Sequence, residues 1–211
     1  MTARASIEFE AASNPISGHV TKFGGQPTWV TGPQWPLSET TGNPMRFICQ
    51  IALEQDIFPG ASGKMAYVFM TDEDEYVDGT WEPDGGENAV IVQPGRCEVR
   101  VAALASGPSL YEMVAVPGEE LLQPSPREFA VELTRSEEPA AGSMKELNGN
   151  KIGGLPCFLQ GDETPDGGEW RLLLQLDSVG VPFSINFGDA GVGYAFIDAA
   201  GTEGKFLWQC C

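Results

Sequence analysis

Short apolar runs, rich in Val, Ile, Leu, Phe and Tyr, recur along this chain between clusters of Gly, Pro, Asp and Asn. That spacing predicts strands and turns. Expected strands are 47–53, 64–70, 88–93, 97–104, 110–116 and 128–134, then 171–177, 193–197 and 205–209. In the sixth of these, Phe129, Val131 and Leu133 alternate with Glu128, Ala130 and Glu132, the period of a half-buried strand. Frequent Gly and Pro disfavour long helices. Residues 54–58 have room for one helical turn. So do residues 143–147, where Ser143 is placed as N-cap and Glu146 follows three residues on. The fold class read here is mainly β, α+β at most, with few short helices.

The chain also repeats itself. Lys22-Phe23-Gly24-Gly25-Gln26-Pro27-Thr28-Trp29 returns 129 positions later as Lys151-Ile152-Gly153-Gly154-Leu155-Pro156-Cys157-Phe158. Phe47-Ile48-Cys49-Gln50-Ile51 returns as Leu172-Leu173-Leu174-Gln175-Leu176, and Tyr67 followed by Trp81 returns as Tyr194 followed by Trp208. Two long copies are too few for a solenoid and point to an internally duplicated sheet with a pseudo-two-fold core. We read 1–211 as one domain, with copies over about 18–81 and 148–208 and a β-rich insert at 82–147. Pro83-Asp84-Gly85-Gly86-Glu87 recurs as Pro165-Asp166-Gly167-Gly168-Glu169 at an offset that does not fit the duplication. It reads as repeated turn chemistry.

Composition narrows the function. Of 211 residues, 42% are hydrophobic, enough for a globular core. The net charge is −18, and the nearest basic pair is Arg96 and Arg100. Without a Lys/Arg cluster the chain is not expected to bind nucleic acid, and anionic membrane surfaces would repel it. A partner drawn by long-range electrostatics should be basic. The five cysteines form no C-x-x-C pair and the single histidine is His19, so neither a zinc site nor a cofactor is expected. Cys49 and Cys157 read as small buried hydrophobes. Residues 1–15 lack the apolar stretch of a signal peptide, and the expected location is the cytoplasm.

Two groups of candidate site residues follow. Asp72, Glu73, Asp74, Glu75, Asp78, Glu82, Asp84 and Glu87 form the densest acidic stretch, with no Lys or Arg among them. The order of these residues does not match an EF-hand loop; a docking surface for a basic protein competes with a plain solvated loop. The second group is a possible ligand cleft between the copies, from Lys22, Gly24, Gly25, Gln50, Lys151, Gly153, Gly154, Gln175 and Asp189. Gln50 and Gln175 each interrupt an apolar run, and a buried amide must find partners. The Gly-Gly pairs lack the ending or spacing of nucleotide-binding loops. Catalysis has little support: one histidine, no G-x-S-x-G, and no base beside any cysteine.

The motifs Lys22-Phe-Gly-Gly-Gln-Pro, Trp35-Pro36 and Asn43-Pro-Met-Arg-Phe-Ile-Cys-Gln-Ile51 resemble the first half of the YwqG-like family. Lys151-Ile-Gly-Gly-Leu-Pro-Cys-Phe-Leu-Gln160, Leu172-Leu-Leu-Gln-Leu-Asp-Ser178 and Gly188-Asp-Ala-Gly-Val-Gly-Tyr-Ala-Phe-Ile197 resemble its second half. The resemblance implies a bacterial domain of unknown function with a duplicated, mainly β fold and no assigned catalytic residues. It also implies distant kinship to eukaryotic proteins of the programmed-cell-death type, which chaperone a basic ribosomal protein, and to immunity proteins against secreted toxins. The Cys motifs of the eukaryotic relatives are missing here. The expectation is a non-enzymatic module that binds a basic protein; the alternative is a small-molecule binder or enzyme using the cleft.

Overall fold

The computed structural model describes residues 2–73, 75–139 and 147–211. Its strands are β1 (Thr2–Ala11), β2 (Lys22–Gly24), β3 (Trp35–Pro36), β4 (Arg46–Ala52), β5 (Met65–Met70), β6 (Asn88–Gln93) and β7 (Val101–Ala102). They continue as β8 (Tyr111–Val114), β9 (Gln123–Pro126), β10 (Glu128–Glu138), β11 (Lys151–Gly153), β12 (Trp170–Asp177), β13 (Val192–Asp198) and β14 (Gly204–Gln209). The mainly β expectation holds. Ten strands close a barrel in the order β1-β10-β2-β4-β5-β6-β14-β13-β12-β11, leaving β3-β7 and β8-β9 as two-stranded appendages. Closure removes the sheet edges that would otherwise invite pairing with other chains.

Alternation along the strands sorts their side chains into one inner and two outer layers. Ile7, Phe23, Cys49, Val68, Val90, Phe129, Ile152, Leu174, Ala195 and Phe206 belong to one buried cluster. Each comes from a different barrel strand, so this cluster fills the lumen. On the outside of β4, β5 and β6, Phe47, Tyr67, Phe69 and Ile91 pack with Trp35, Met45 and Trp29. On the outside of β12, β13 and β14, Leu172, Tyr194, Phe196 and Leu207 pack with Phe158 and Leu159. Segments 26–45 and 155–161 are therefore straps laid over two outer apolar faces.

The expected turn at 54–58 is present: Phe58 N–H donates to the Glu54 carbonyl at 2.8 Å. The expected turn at 143–147 falls outside the described residues except for Leu147. Of the expected strand 97–104 only Val101–Ala102 is paired, with β3. Five strands have no sequence expectation: β2 and β11 fall where turns are expected, and β1, β3 and β9 lie outside the expected strands. Strand β1 carries a signal nonetheless, because Ala5 and Ile7 are buried while Glu8 and Glu10 are exposed.

Candidate functional site

The Lys-x-Gly-Gly motifs hold up the barrel wall. Lys22 pairs with Gln50 across β2-β4, and Lys151 with Gln175 across β11-β12. Both lysines are buried. Lys22 Nζ meets Glu128 Oε1 at 2.6 Å and the Ile16 carbonyl at 2.8 Å. Lys151 Nζ meets Glu138 Oε1 at 2.7 Å and the carbonyls of Leu147 and Leu155 at 2.5 and 2.6 Å. The two glutamates are the ends of one strand, β10, which joins both motifs. Gly24 and Gly153 have φ of +66° and +71°, and a Cβ on Gly24 would lie 2.2 Å from the Arg127 carbonyl oxygen. A positive φ together with that approach leaves room only for glycine.

Gln50 and Gln175 satisfy the straps. Gln50 Oε1 accepts from Thr28 N–H at 2.7 Å, and its Nε2 donates to the carbonyls of Gly18 and Val20 at 3.1 and 2.8 Å. Gln175 Oε1 accepts from Cys157 N–H at 2.8 Å, and its Nε2 donates to the carbonyls of Leu147 and Gly149 at 3.2 and 3.0 Å. Tyr67 and Tyr194 donate their hydroxyls to the carbonyls of Thr28 and Cys157, both at 2.8 Å. Trp29 and Phe158 lie against the same pair of rings in each half: Trp29 on Tyr67 and Phe69, Phe158 on Tyr194 and Phe196.

A further pair escaped the sequence reading. Gln93 Oε1 accepts from the amides of Val30 and Thr31, and Gln209 Oε1 from those of Leu159 and Gln160. Gln93 Nε2 donates to Gly32 O and Gln209 Nε2 to Gly161 O. The strand matching β14 is thus β6, which lies inside the segment set aside as an insert. Trp81 sits in a turn while Trp208 is on β14, so their equal spacing from Tyr67 and Tyr194 has no structural counterpart. The signal available was a Gln closing an apolar strand in each half.

These placements correct the expected cleft. Gln50 and Gln175 lie on β4 and β12, with four strands between them in one direction around the barrel and four in the other. Each serves its own strap, and they face no common space. Asp189 is exposed in a turn, and Asn186, not Asp189, supplies the side-chain acceptor for Gly188 N–H. The second Gly-Gly pair borders a sizeable hollow. Gly153 and Gly154, with Ile57, Phe58, Leu155 and Phe158, line a cavity of about 680 Å³.

The acidic stretch connects β5 to β6 as a long loop. Asp72 is tied to Arg46 at 2.5 Å and Asp84 to Lys205 at 2.7 Å. Glu73 accepts from Asn43 Nδ2 at 2.9 Å, and Asp78 accepts from Gly79 N–H at 3.0 Å. Glu73, Glu75, Asp78, Glu82 and Asp84 are exposed; Asp74 lies outside the described residues. Two aromatic rings stand among them, Tyr76 at 75% exposure and Trp81 at 42%. A groove of about 240 Å³ runs between Asp72, Glu73, Glu75, Tyr76, Asn186 and Trp208.

Glu87 does not belong to that surface. It is fully buried, and its carboxylate accepts from Thr40 N–H at 2.8 Å and Thr71 Oγ1 at 2.7 Å. Burial opposes its charge, but hydrogen bonds from Ser38, Thr71 and Thr40 outweigh burial and hold its pKa below that of a free glutamate. A depressed folded pKa adds stability above the unfolded value of about 4.3, and that stability is lost as pH falls through the folded value. Glu87→Gln is therefore expected to flatten the pH dependence of urea unfolding below about pH 4.3. An unchanged slope in that range would show that Glu87 is not the titrating group.

Burial pushes the thiols of Cys49, Cys97 and Cys157 up, so at neutral pH they are protonated and weakly nucleophilic. Among the described residues, no group of three or more His, Cys, Asp or Glu is placed to hold a metal ion, and no helix is long and apolar enough to cross a membrane. No curated protein matches the sequence. A family model described as a domain of unknown function (DUF1963) matches residues 21–203, a span that contains both Lys-x-Gly-Gly motifs and both straps. The chain belongs to that uncharacterised domain family, DUF1963.

Proposed function

We propose that this protein is a non-enzymatic binding module whose acidic β5-β6 loop docks a basic protein. One observation carries the reading. Five exposed carboxylates and two exposed aromatic rings share one loop anchored at both ends by β5 and β6. Carboxylates beside aromatic faces suit lysine and arginine side chains, which gain from both ion pairing and cation–π contact. The net charge of −18 would speed the approach of such a partner. Neutralising a toxin and chaperoning a basic client are two forms of this role, and the closer YwqG-like kinship read from the motifs is part of the same proposal.

The test uses a basic partner captured from lysate and then purified. Glu75→Lys with Glu82→Lys is expected to slow association about tenfold and to weaken its salt dependence. The same charge change at Glu8 and Glu10, exposed on β1, should do much less. Equal effects from both pairs would mean that net charge, not this loop, drives binding. A second reading rests on the 680 Å³ cavity beside Gly153 and Gly154, whose size suits a small apolar ligand. A melting temperature raised by such a molecule, without salt-sensitive protein capture, would favour it.

A further inference from the structure

The β8-β9 hairpin leaves the barrel and exposes apolar side chains that no buried cluster claims. Leu121 is 77% exposed, Leu122 53%, Met113 44% and Val116 39%. Single exposed leucines are ordinary, but four large apolar residues on one short hairpin mark an interaction surface. The tip also carries Glu119 and Glu120, both exposed, and has no Lys or Arg between Ala115 and Pro126.

The base of this hairpin is tied to the acidic loop. The guanidinium of Arg46 lies over the Tyr111 ring of β8, 4.7 Å from its centroid. It also donates to the Ser109 carbonyl at 2.7 Å and pairs with Asp72 at 2.5 Å. One arginine thus joins the start of the acidic loop to the start of the hairpin. The hairpin and the loop rise from the same rim of the barrel, because Arg46 begins β4 and its register partner Met70 ends β5.

We infer that the hairpin tip is the apolar half of the same docking surface, and that its occupant is an apolar pocket rimmed by Lys or Arg on a basic protein. This rests on the acidic-docking reading proposed above. Charge selects the occupant. A second copy of the chain would bring another −18 and a second pair of tip glutamates against the first, which disfavours self-association. Basic groups around an apolar pocket would meet Glu119 and Glu120 while the pocket takes Leu121 and Leu122.

Two synthetic peptides of equal charge test the inference by fluorescence anisotropy at physiological salt: an amphipathic Lys/Leu helix and a plain oligolysine. The wild-type chain should bind the amphipathic peptide about tenfold more tightly than oligolysine. Leu121→Ser with Leu122→Ser should erase that difference and leave oligolysine binding unchanged. Met113→Ser should act in the same direction, by less. These side chains face solvent, so the variants should unfold at the wild-type urea midpoint. Unchanged preference in the double variant would overturn the hairpin's role and leave the acidic-loop reading standing. Failure of the wild-type chain to bind either peptide would overturn both. A wild-type dimer in sedimentation that the double variant dissolves would also overturn the inference, with a second copy as the true occupant.

Discussion

Glu138→Ala is expected to destabilise the protein by about 3–5 kcal/mol, the usual cost of removing one partner from a buried ion pair. Both side chains of the Glu138–Lys151 pair are 1% exposed. Glu138 Oε1 also accepts from Arg4 at 2.6 Å and its Oε2 from Leu155 N–H at 2.6 Å, so three donors each lose one acceptor together. Burial already pulls the Lys151 pKa down, with Glu138 opposing it, so the variant leaves an ammonium that water barely reaches. Adding Lys151→Met removes the stranded charge and should recover part of the loss, because an apolar pair of similar volume is often neutral in such a site. Glu128→Ala should cost less, since the Glu128 carboxylate is 13% exposed and water can partly replace it. Equilibrium urea unfolding of the three variants checks the series. A Glu138→Ala loss below about 1 kcal/mol, the level of a surface pair, would show that the pair is not structurally central.

Gln50→Leu and Gln175→Leu should each lower stability by about 2–4 kcal/mol, because each strands one strap amide and two carbonyls at about 1–3 kcal/mol per unsatisfied group before relaxation. Leucine fills most of the same volume, so a cavity contributes little. The two effects should be nearly additive, since the two residues serve different straps on opposite sides of the barrel. Hydrogen exchange gives a local readout. Thr28 N–H should lose protection in Gln50→Leu and Cys157 N–H in Gln175→Leu, each without change in the other half. Loss of protection in both halves from either substitution would mean that the straps are coupled through the lumen.

Much of the barrel was legible from the chain alone, because the signals are local. The centres of β4, β5, β6, β12, β13 and β14 were visible in their apolar runs, and the Gly-Gly turns in residues that permit positive φ. The recurrence of Lys, Gln and Tyr identified the positions that make matching contacts in both halves. Their purpose was not legible. A buried glutamine reads equally as a ligand group or a strap anchor until its neighbours are known, and those neighbours are backbone groups with no sequence signature of their own.

The order of apolar and turn residues was enough to commit this chain to short strands, since alternation and turn chemistry act within a few positions. Non-local pairing settled the rest. Strand β10 brings Glu128 to Lys22 and Glu138 to Lys151, although nothing around those residues marks them as partners. Folding also separated Glu87 from the exposed acids Glu73, Glu75, Asp78, Glu82 and Asp84 by enclosing it among threonines and a serine, and set Leu121 and Leu122 at a hairpin tip beyond the reach of any core. Charge and hydropathy are properties of a residue, whereas burial and partnership depend on which distant segments close around it.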